Sequence, residues 1–388
     1  MTFNSRLRWG AVLTAAALAV PAAAAQAKAQ PDLRQAVSAK VSAAKSSKTS
    51  SAVQVNVTRG AGTGTVFGTT VALVPQGQDT HPEGWLFAAR LIDGKWQVGL
   101  EGEAAFSELT AASPVVSAKE KQLFGQSASF TPQLAGGDFR TGMRLPFAVG
   151  TSWSMPGGPH GWGGTDTPYS SVDLSGGNGQ VLAARGGTAY TMCGNGKGWI
   201  RVIHDRGYST DYYHLSGNIA ANGLAVSEGT FLGNIGTDVS CGGSANGPHV
   251  HFALRQNSAY VGIAGHNVGG WVFQNAASAY NGTALHGSTL RGPSEQLYNY
   301  GALGFTQGII DSFGGGTVNK RTGPGTNYAL AGSVADGTTV NISCSKNGTS
   351  HTGRWGTTSL WNRLSDGTWV SDAFMWTGLA TPVNGTCP

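Results

Sequence analysis

The chain has 388 residues, of which 12% are charged, 40% are hydrophobic and 60 are glycine, and its formal net charge is +5. The charged share is about half the usual one, which excludes a typical helical cytosolic enzyme and favours a turn-rich, β-dominated extracellular protein. The basic residues are spread along the chain without Lys/Arg runs, so a nucleic-acid-binding surface is excluded and residence near an anionic surface is favoured.

The N-terminus has the order of a secretory signal. Arg6 and Arg8 precede an apolar stretch over residues 11–25, and small residues provide two candidate cleavage sites between residues 25 and 29. Because this stretch is shorter than the roughly 20 residues needed to span a bilayer, a membrane anchor is excluded and no membrane insertion is expected. We predict a signal peptide over residues 1–29 and a secreted, extracellular protein.

The next hundred residues change in character twice. Residues 30–50 are mostly Ala, Ser, Lys and Gln, which predicts a flexible segment. Alternating apolar residues over 52–109 predict a small β-rich unit, and a second flexible stretch is predicted over 111–138. An ordered unit between a signal peptide and a catalytic region is often a pro-segment, which is our interpretation of residues 30–137. The alternative is a small binding module that the mature protein keeps.

The central region, residues 138–297, contains short apolar segments such as 181–184 and 199–204, separated by Gly-rich turns. No stretch of ten or more residues shows a clear 3.6-residue period. These features predict a mainly β fold, with an antiparallel β-sheet and long loops forming the catalytic domain. The last 70 or so residues again consist of short strands and turns.

The four cysteines fall in two regions, Cys193 and Cys241 near the middle and Cys344 and Cys387 near the end. Export permits disulfides, and four cysteines allow three pairings. The local pairing, Cys193 with Cys241 and Cys344 with Cys387, keeps each bridge within one domain. The chain has no CxxC pair, which argues against a Cys-rich metal site.

The pair His249 and His251 is the first candidate for chemistry. The turn at residues 246–248 precedes it, so both histidines fall in a predicted strand. Residues two apart in a strand point to the same face, so the two imidazoles project side by side. Such a pair suits one metal ion, or a metal ligand beside a proton-transfer group.

His160 lies in a Gly-rich loop, and Asp173 follows thirteen residues later. A catalytic zinc takes three protein ligands from His, Asp or Glu and keeps one position open. His160, Asp173 and one member of the HxH pair would supply that set. His214 closes a predicted strand and is a candidate for oxyanion stabilisation or shared proton transfer. His204 is interpreted as structural, and no usable pattern attaches to the remaining histidines, which are His81, His266, His286 and His351.

Three motifs resemble those of the lysostaphin-type zinc endopeptidases, and within them the β-lytic branch. They are the His160/Asp173 pair, the strand end at residues 213–216 and the segment 247–252, and the likeness covers residues 140–295. Most of the wider family separates its first His and Asp by four residues. The longer spacing here departs from that pattern and fits the β-lytic branch, as do the two central cysteines.

This resemblance implies that His160, Asp173 and His251 bind one Zn²⁺ ion, while His214 and His249 assist catalysis. It also implies hydrolysis of peptide bonds, with bonds involving glycine favoured, in the cross-bridges of bacterial peptidoglycan. We expect a monomer. Two other functions remain open, a wall-binding protein that does not cut and an amidase acting on the sugar–peptide bond. Which histidine is the general base also remains open.

The resemblance extends to both flanks. Residues 30–137 correspond to the inhibitory pro-segment of β-lytic enzymes, which places maturation near Asp138. Residues 318–328 resemble the opening of bacterial SH3-like domains, and residues 367–371 resemble their closing strand. A small SH3-like β-barrel that binds cell walls is therefore expected over residues 311–388.

Overall fold

A computed structural model describes residues 31–45, 52–62, 64–129 and 138–388. The predicted signal peptide lies outside these residues. Among the helices of the described ranges, none has the length and apolar character needed to cross a membrane.

The N-terminal unit is built on a four-stranded antiparallel sheet in the order β1-β2-β3-β4. Its elements are α1 (Pro31–Ala44), β1 (Ala52–Ala61), β2 (Thr65–Leu73), β3 (Glu83–Ile92), β4 (Lys95–Leu100), α2 (Ala104–Ala112) and α3 (Ala118–Ser129). Helix α1 packs on one face of this sheet, and α2 and α3 contribute to the cluster on the other face. A small β-rich unit, as predicted over residues 52–109, is present.

The flexible segment predicted over residues 30–50 is wrong for residues 31–44, which form α1. The Ala, Lys and Gln residues that suggested flexibility are also good helix formers. The few apolar residues, Leu33, Val37 and Val41, are spaced four apart, so they share one helix face and are buried against the sheet.

The second flexible stretch, predicted over residues 111–138, is wrong as far as residue 129. Residues 118–129 form α3, which buries Leu123 and Phe124. Two apolar residues suffice here because they pack into a cluster that the rest of the protein supplies. Residues 130–137 lie outside the described residues.

The central region is an antiparallel β structure, as predicted, apart from one parallel pairing of residues 267–268 with residues 140–143. Its strands are β5 (Arg140–Met143), β6 (Ser152–His160), β7 (Ser171–Ser175), β8 (Gln180–Leu182), β9 (Gly187–Thr191), β10 (Gly198–Ile203), β11 (Tyr208–Leu215), β12 (Asn222–Val226), β13 (Phe231–Asn234), β14 (Val250–Gln256), β15 (Ala259–Tyr260), β16 (Asn267–Val268), β17 (Trp271–Gln274), β18 (Thr283–His286), β19 (Thr289–Arg291) and β20 (Gln296–Tyr298).

The main sheet has nine strands in the order β12-β9-β10-β11-β14-β7-β6-β20, with β15 paired to β14. Strands β19-β18-β17-β16-β5 form a second sheet and β13-β8 a two-stranded ribbon. Residues of all three groups share one large apolar cluster, so the second sheet and the ribbon cover one face of the main sheet.

The other face of the main sheet is covered by the N-terminal unit. Strand β10 illustrates the division, because Ile200 and Val202 belong to the cluster between the central sheets, whereas Trp199 belongs to a second cluster. That second cluster also contains Phe67 of β2 and Phe124 of α3. The N-terminal unit and the main sheet therefore share one apolar core.

The C-terminal part is a seven-stranded sheet in the order β23-β22-β26-β25-β24-β21-β27. Its strands are β21 (Gln307–Ile310), β22 (Thr317–Arg321), β23 (Leu330–Ala335), β24 (Thr339–Gly353), β25 (Gly356–Leu364), β26 (Trp369–Ser371) and β27 (Met375–Trp376). The sheet thus begins at Gln307, before the predicted domain start at residue 311. Both predicted disulfides are present, Cys193–Cys241 and Cys344–Cys387, with Cα atoms 6.0 and 5.0 Å apart.

Candidate metal centre

Three adjacent strands of the main sheet carry the predicted metal ligands. Asp173 on β7 pairs directly across the ladder with His251 on β14, and His160 ends the neighbouring strand β6. Directly opposed residues of an antiparallel pair have Cβ atoms about 5 Å apart, so the register alone brings the carboxylate to the imidazole. The thirteen-residue spacing between His160 and Asp173 is spanned by the turn that joins β6 to β7.

The ligand atoms converge. His160 Nε2 lies 3.1 Å from His251 Nδ1. Asp173 Oδ1 lies 3.0 Å from His251 Nδ1 and 3.5 Å from His160 Nε2. Zinc bonds of roughly 2.0–2.2 Å in a tetrahedral site separate ligand atoms by about 3.3–3.5 Å, so one ion fits this set. Within the described ranges, these three residues alone form a cluster of three or more His, Cys, Asp or Glu groups spaced to hold a metal.

A hydrogen bond fixes which ring nitrogen of His160 faces the other ligands. Its Nδ1–H donates to Gly158 O at 2.7 Å, which leaves the Nε2 lone pair directed at Asp173 and His251. Close backbone approach is needed on β6, because a Cβ on Gly157 would lie 2.5 Å from Asp173 Oδ2. A lone pair, a carboxylate and a second imidazole therefore point at one position, which suits a cation.

The protonation states agree with metal binding. Burial lowers the pKa of His251 to about 4, so its ring is neutral near pH 7. Burial alone would raise the pKa of Asp173, but the neighbouring imidazoles of His160, His251 and His249 hold that pKa well below its usual value. The site thus presents neutral imidazole and ionised carboxylate, the forms in which these groups bind metals.

His249 immediately precedes β14, pairing with Gly236 in an isolated bridge, and its side chain lies with that of His251 beside Asp173. His249 Nδ1–H donates to Gly247 O at 2.8 Å, and its Nε2 lies 3.5 Å from Asp173 Oδ1. His249 is not part of the set whose ligand atoms all lie within 4.8 Å of one another, whereas His251 is. The geometry thus favours His251 over His249 as the ligand, a choice that strand alternation left open.

His214 reaches the same cleft through an unusual backbone conformation. Its φ is 67°, in the left-handed region, near the end of β11. In a regular strand the side chains of Tyr213 and His214 would point to opposite faces of the sheet. The left-handed backbone at His214 instead brings its ring centroid to 4.8 Å from that of His249. His214 Nδ1–H donates to Asp238 O at 3.0 Å, and burial lowers the pKa of the ring to about 3.

The ligands and both flanking histidines line a cleft of about 880 Å³. Tyr280 forms part of its wall and stacks on His160, with ring centroids 4.0 Å apart and planes at 22°. Sequence reasoning missed Tyr280, because no motif surrounds it. His204 lies within the sheet instead, bonded to Gly186 O and Thr210 Oγ1, as expected for a structural histidine.

Sequence reasoning also missed His81, a residue of the N-terminal unit between β2 and β3. Its ring stacks on His251 with centroids 4.4 Å apart, and its Nε2 lies 3.0 Å from His214 Nε2. Since His214 has committed its Nδ1–H to Asp238, His81 Nε2–H is the donor in this contact. No local pattern marked His81, because its position depends entirely on how the N-terminal unit docks.

Comparisons with known proteins place this site in context. The sequence model of peptidase family M23 matches residues 167–263. Protease LasA of Pseudomonas aeruginosa is 36% identical over 150 residues, which cover 36% of this chain and 35% of LasA. Beta-lytic metalloendopeptidase of Lysobacter enzymogenes is 31% identical over 150 residues, which cover 36% of this chain and 83% of that protein. The match thus spans about a third of the length of LasA and most of the length of the Lysobacter protein.

Among solved structures, the M23 metalloprotease pseudoalterin, described as from the deep sea, is 31% identical. The alignment covers 40% of this chain and 97% of pseudoalterin, with a TM-score of 0.38.

Proposed function

The chain belongs to peptidase family M23, and on that premise we propose that it is a secreted zinc endopeptidase. It cuts peptide bonds in peptidoglycan cross-bridges, at bonds involving glycine. The observation that carries the proposal is the convergence of His160, Asp173 and His251 in one open cleft, flanked by His214 and His249. The names of two relatives, a protease and a metalloendopeptidase, agree with this activity.

His160 through Nε2, Asp173 through Oδ1 and His251 through Nδ1 would hold the zinc ion. Bound there, zinc supplies Lewis acidity, which favours ionisation of water near neutral pH. The three residues come from strands of one sheet, so their positions are fixed by the ladder hydrogen bonds rather than by a mobile loop.

His249 and His214 supply the proton chemistry. Both rings donate Nδ1–H to backbone carbonyls, so in the neutral state each presents an Nε2 lone pair. We assign proton abstraction from the attacking water, and its delivery to the leaving amine, to His249, whose side chain is 15% exposed. In the unprocessed chain burial keeps the His214 ring neutral, and its Nε2 accepts from His81. Removal of the N-terminal unit would reduce the burial that lowers this pKa, and the imidazolium form would then donate to the developing oxyanion.

Residues 30–137 act as an inhibitory pro-segment in this proposal. The N-terminal unit covers one face of the main sheet and places His81 against His214 and His251, which supports inhibition over a retained binding module. A binding module would have no need to enter the catalytic cleft. Residues 1–29 direct export, and the tail from residue 311 binds the wall as an SH3-like domain.

The test uses purified cell walls, the form of the protein recovered from an expressing culture, and mass spectrometry of the soluble products. New amino termini within cross-bridges, abolished by a chelator and by Asp173→Ala, are expected. Release of whole peptides from the glycan would instead identify an amidase. Binding to walls without new termini would identify a protein that does not cut.

A further inference from the structure

The loop that precedes β3 enters the metal centre, and the chain continues across the face of the main sheet that the N-terminal unit covers. Near the end of this loop, His81 lies against His214 and His251. From there the chain runs on into β3, which begins at Glu83. The segment 81–84 therefore begins at the catalytic residues and leads away from them along the sheet.

The main chain of this segment is held by side chains of the catalytic region. Trp162 Nε1–H donates to Pro82 O at 2.7 Å, and Arg201 Nη1–H donates to Gly84 O at 3.0 Å. Both contacts use carbonyl oxygens, which every peptide possesses. Trp162 and Arg201 could therefore hold another extended peptide in the same way, whatever its side chains.

At Gly84, however, the side chain is restricted. A Cβ at this position would lie 2.7 Å from Cη2 of the Trp199 ring and 3.3 Å from Met192 Cε. The central region holds the Trp199 ring in place, because its Nε1–H donates to Asp211 Oδ1 at 2.8 Å. Trp162 packs on the same ring with centroids 5.0 Å apart. Only glycine fits against this ring without displacing it.

All the side chains that make these contacts belong to the central region, so they remain when the N-terminal unit is removed. We propose that the segment 81–84 occupies the path of the substrate peptide, and that Trp199 forms a glycine-selective subsite three residues from the position of His81. Arg201 binds the main-chain carbonyl of the residue in that subsite, and Trp162 binds the carbonyl two residues before it. This inference rests on the proposed endopeptidase function and on removal of the N-terminal unit.

Peptide cleavage tests the subsite directly. A glycine hexapeptide and its six single Gly→Ala analogues are incubated with the form recovered from an expressing culture, as wild type and as Trp199→Leu. In the wild type, alanine three residues from the position of the cleaved bond should lower kcat/KM by about tenfold or more. In Trp199→Leu this penalty should fall below about threefold, because the ring that excludes Cβ is gone.

A matched control separates loss of the subsite from a general effect of substitution on this face of the sheet. Tyr190 on β9 faces the N-terminal unit as Trp199 does, but it contacts Glu120 of α3 and not the segment 81–84, so Tyr190→Phe leaves the subsite intact. This variant should keep the wild-type penalty for alanine. An equal alanine penalty in wild type and Trp199→Leu, or no penalty at that position, would overturn the proposal.

A second measurement does not depend on activity. In the full chain, Gly84→Ala should lower the melting temperature by about 3 °C or more, since Cβ overlaps the Trp199 ring. In the Trp199→Leu background the same substitution should cost much less. An equal cost in both backgrounds overturns the glycine subsite even if cleavage is normal. A protein that cuts neither peptide nor wall overturns the proposed function. The melting temperatures of Gly84→Ala in the two backgrounds still test the contact between Gly84 and Trp199.

Discussion

The ring of His81 lies nearly parallel to the ring of His251, with centroids 4.4 Å apart and planes at 19°. One of these residues belongs to the N-terminal unit and the other to the predicted ligand set. The stacking buries His81 and His251 together. A substrate that approached His251 from this side would first have to displace His81.

Replacing His81 should therefore partly open the unprocessed chain. His81→Ala removes the hydrogen bond to His214 and the stacked ring, while the remaining contacts of the N-terminal unit persist. We expect cleavage of a short glycine peptide by the full chain to rise by up to about tenfold, the equivalent of one hydrogen bond. The matched control is His351→Ala in the tail, which should leave the rate unchanged. Equal rates for His81→Ala and the wild type would contradict inhibition through this residue.

The residues of the candidate site could be named from the sequence because three short motifs resemble those of the lysostaphin-type endopeptidases. The spacing of His249 and His251 placed both on one strand face, and the resemblance supplied the choice of His160, Asp173 and His251 as ligands. The pairing of β7 with β14 is a long-range contact, so the sequence indicated which residues belong together without giving their register. The left-handed backbone conformation of His214 could not be predicted either, since no glycine or turn motif marks this position.

The N-terminal unit was harder to predict because its stability comes from elsewhere. Among the described side chains of α1, three apolar ones are buried, and α3 gains its order by packing Phe124 against Phe67 and Tyr190. From composition alone, such segments are predicted to be polar and flexible. The position of His81 is a consequence of the same docking, and no pattern within three or four residues could show it.

The zinc content of purified variants should distinguish the metal ligands from the catalytic histidines that do not bind zinc. His160→Ala, Asp173→Ala and His251→Ala should each lose zinc, because removal of one ligand in three leaves an incomplete site. His249→Ala and His214→Ala should keep zinc and lose roughly 10²–10⁴-fold in turnover. Metal content is measured by atomic spectroscopy on folded, purified variants. Loss of zinc in His249→Ala together with retention in His251→Ala would reverse the two roles.

The active form should begin between residue 130 and Asp138. Asp138 is anchored to the central region, since its carboxylate pairs with Arg140 at 2.9 Å and Arg206 at 2.6 Å, and its carbonyl accepts from Tyr208. Cleavage beyond Asp138 would discard these contacts. N-terminal sequencing of the active protein from culture medium tests this expectation. An active form that starts near Gln30 would show that the N-terminal unit is kept.

The N-terminal unit should lose stability in acid. Burial by itself would raise the pKa of Glu120, but hydrogen bonds from Arg59, Tyr190 and Ser117 lower it to about 2 from the ordinary 4.5. A folded-state pKa below the unfolded one stabilises the fold above pH 4.5, and this stabilisation is lost as the pH falls toward 2. The loss should be on the order of 2 kcal/mol.

Melting temperatures of the full chain between pH 5 and pH 2.5 measure this loss. Glu120→Gln should be less stable than the wild type at the upper end of the range, and the difference should shrink toward the lower end. Glu108→Gln, on the exposed side of α2, is the control and should follow the wild-type curve. A constant difference between Glu120→Gln and the wild type at every pH would rule out titration of Glu120 as the cause.

Wall binding by the tail should depend on its exposed apolar side chains. Leu330 on β23 is 62% exposed, and Leu290 on β19 of the central region is 51% exposed, which makes them a matched pair. Removing the whole tail is a poorer test, because Ile309 and Trp376 pack with Val272 of the central region and their loss would expose that residue. Point substitutions avoid this damage.

We expect Leu330→Ala to weaken sedimentation with intact walls by roughly threefold, the value of part of one apolar side chain. Cleavage of a short soluble glycine peptide should stay unchanged, because Leu330 is not among the residues that line the catalytic cleft. Leu290→Ala should change neither quantity. If Leu290→Ala weakens wall binding as much as Leu330→Ala does, the wall contacts the central region as well, and the tail is not the wall-binding part. A loss of peptide cleavage in Leu330→Ala would mean instead that the tail supports the catalytic region.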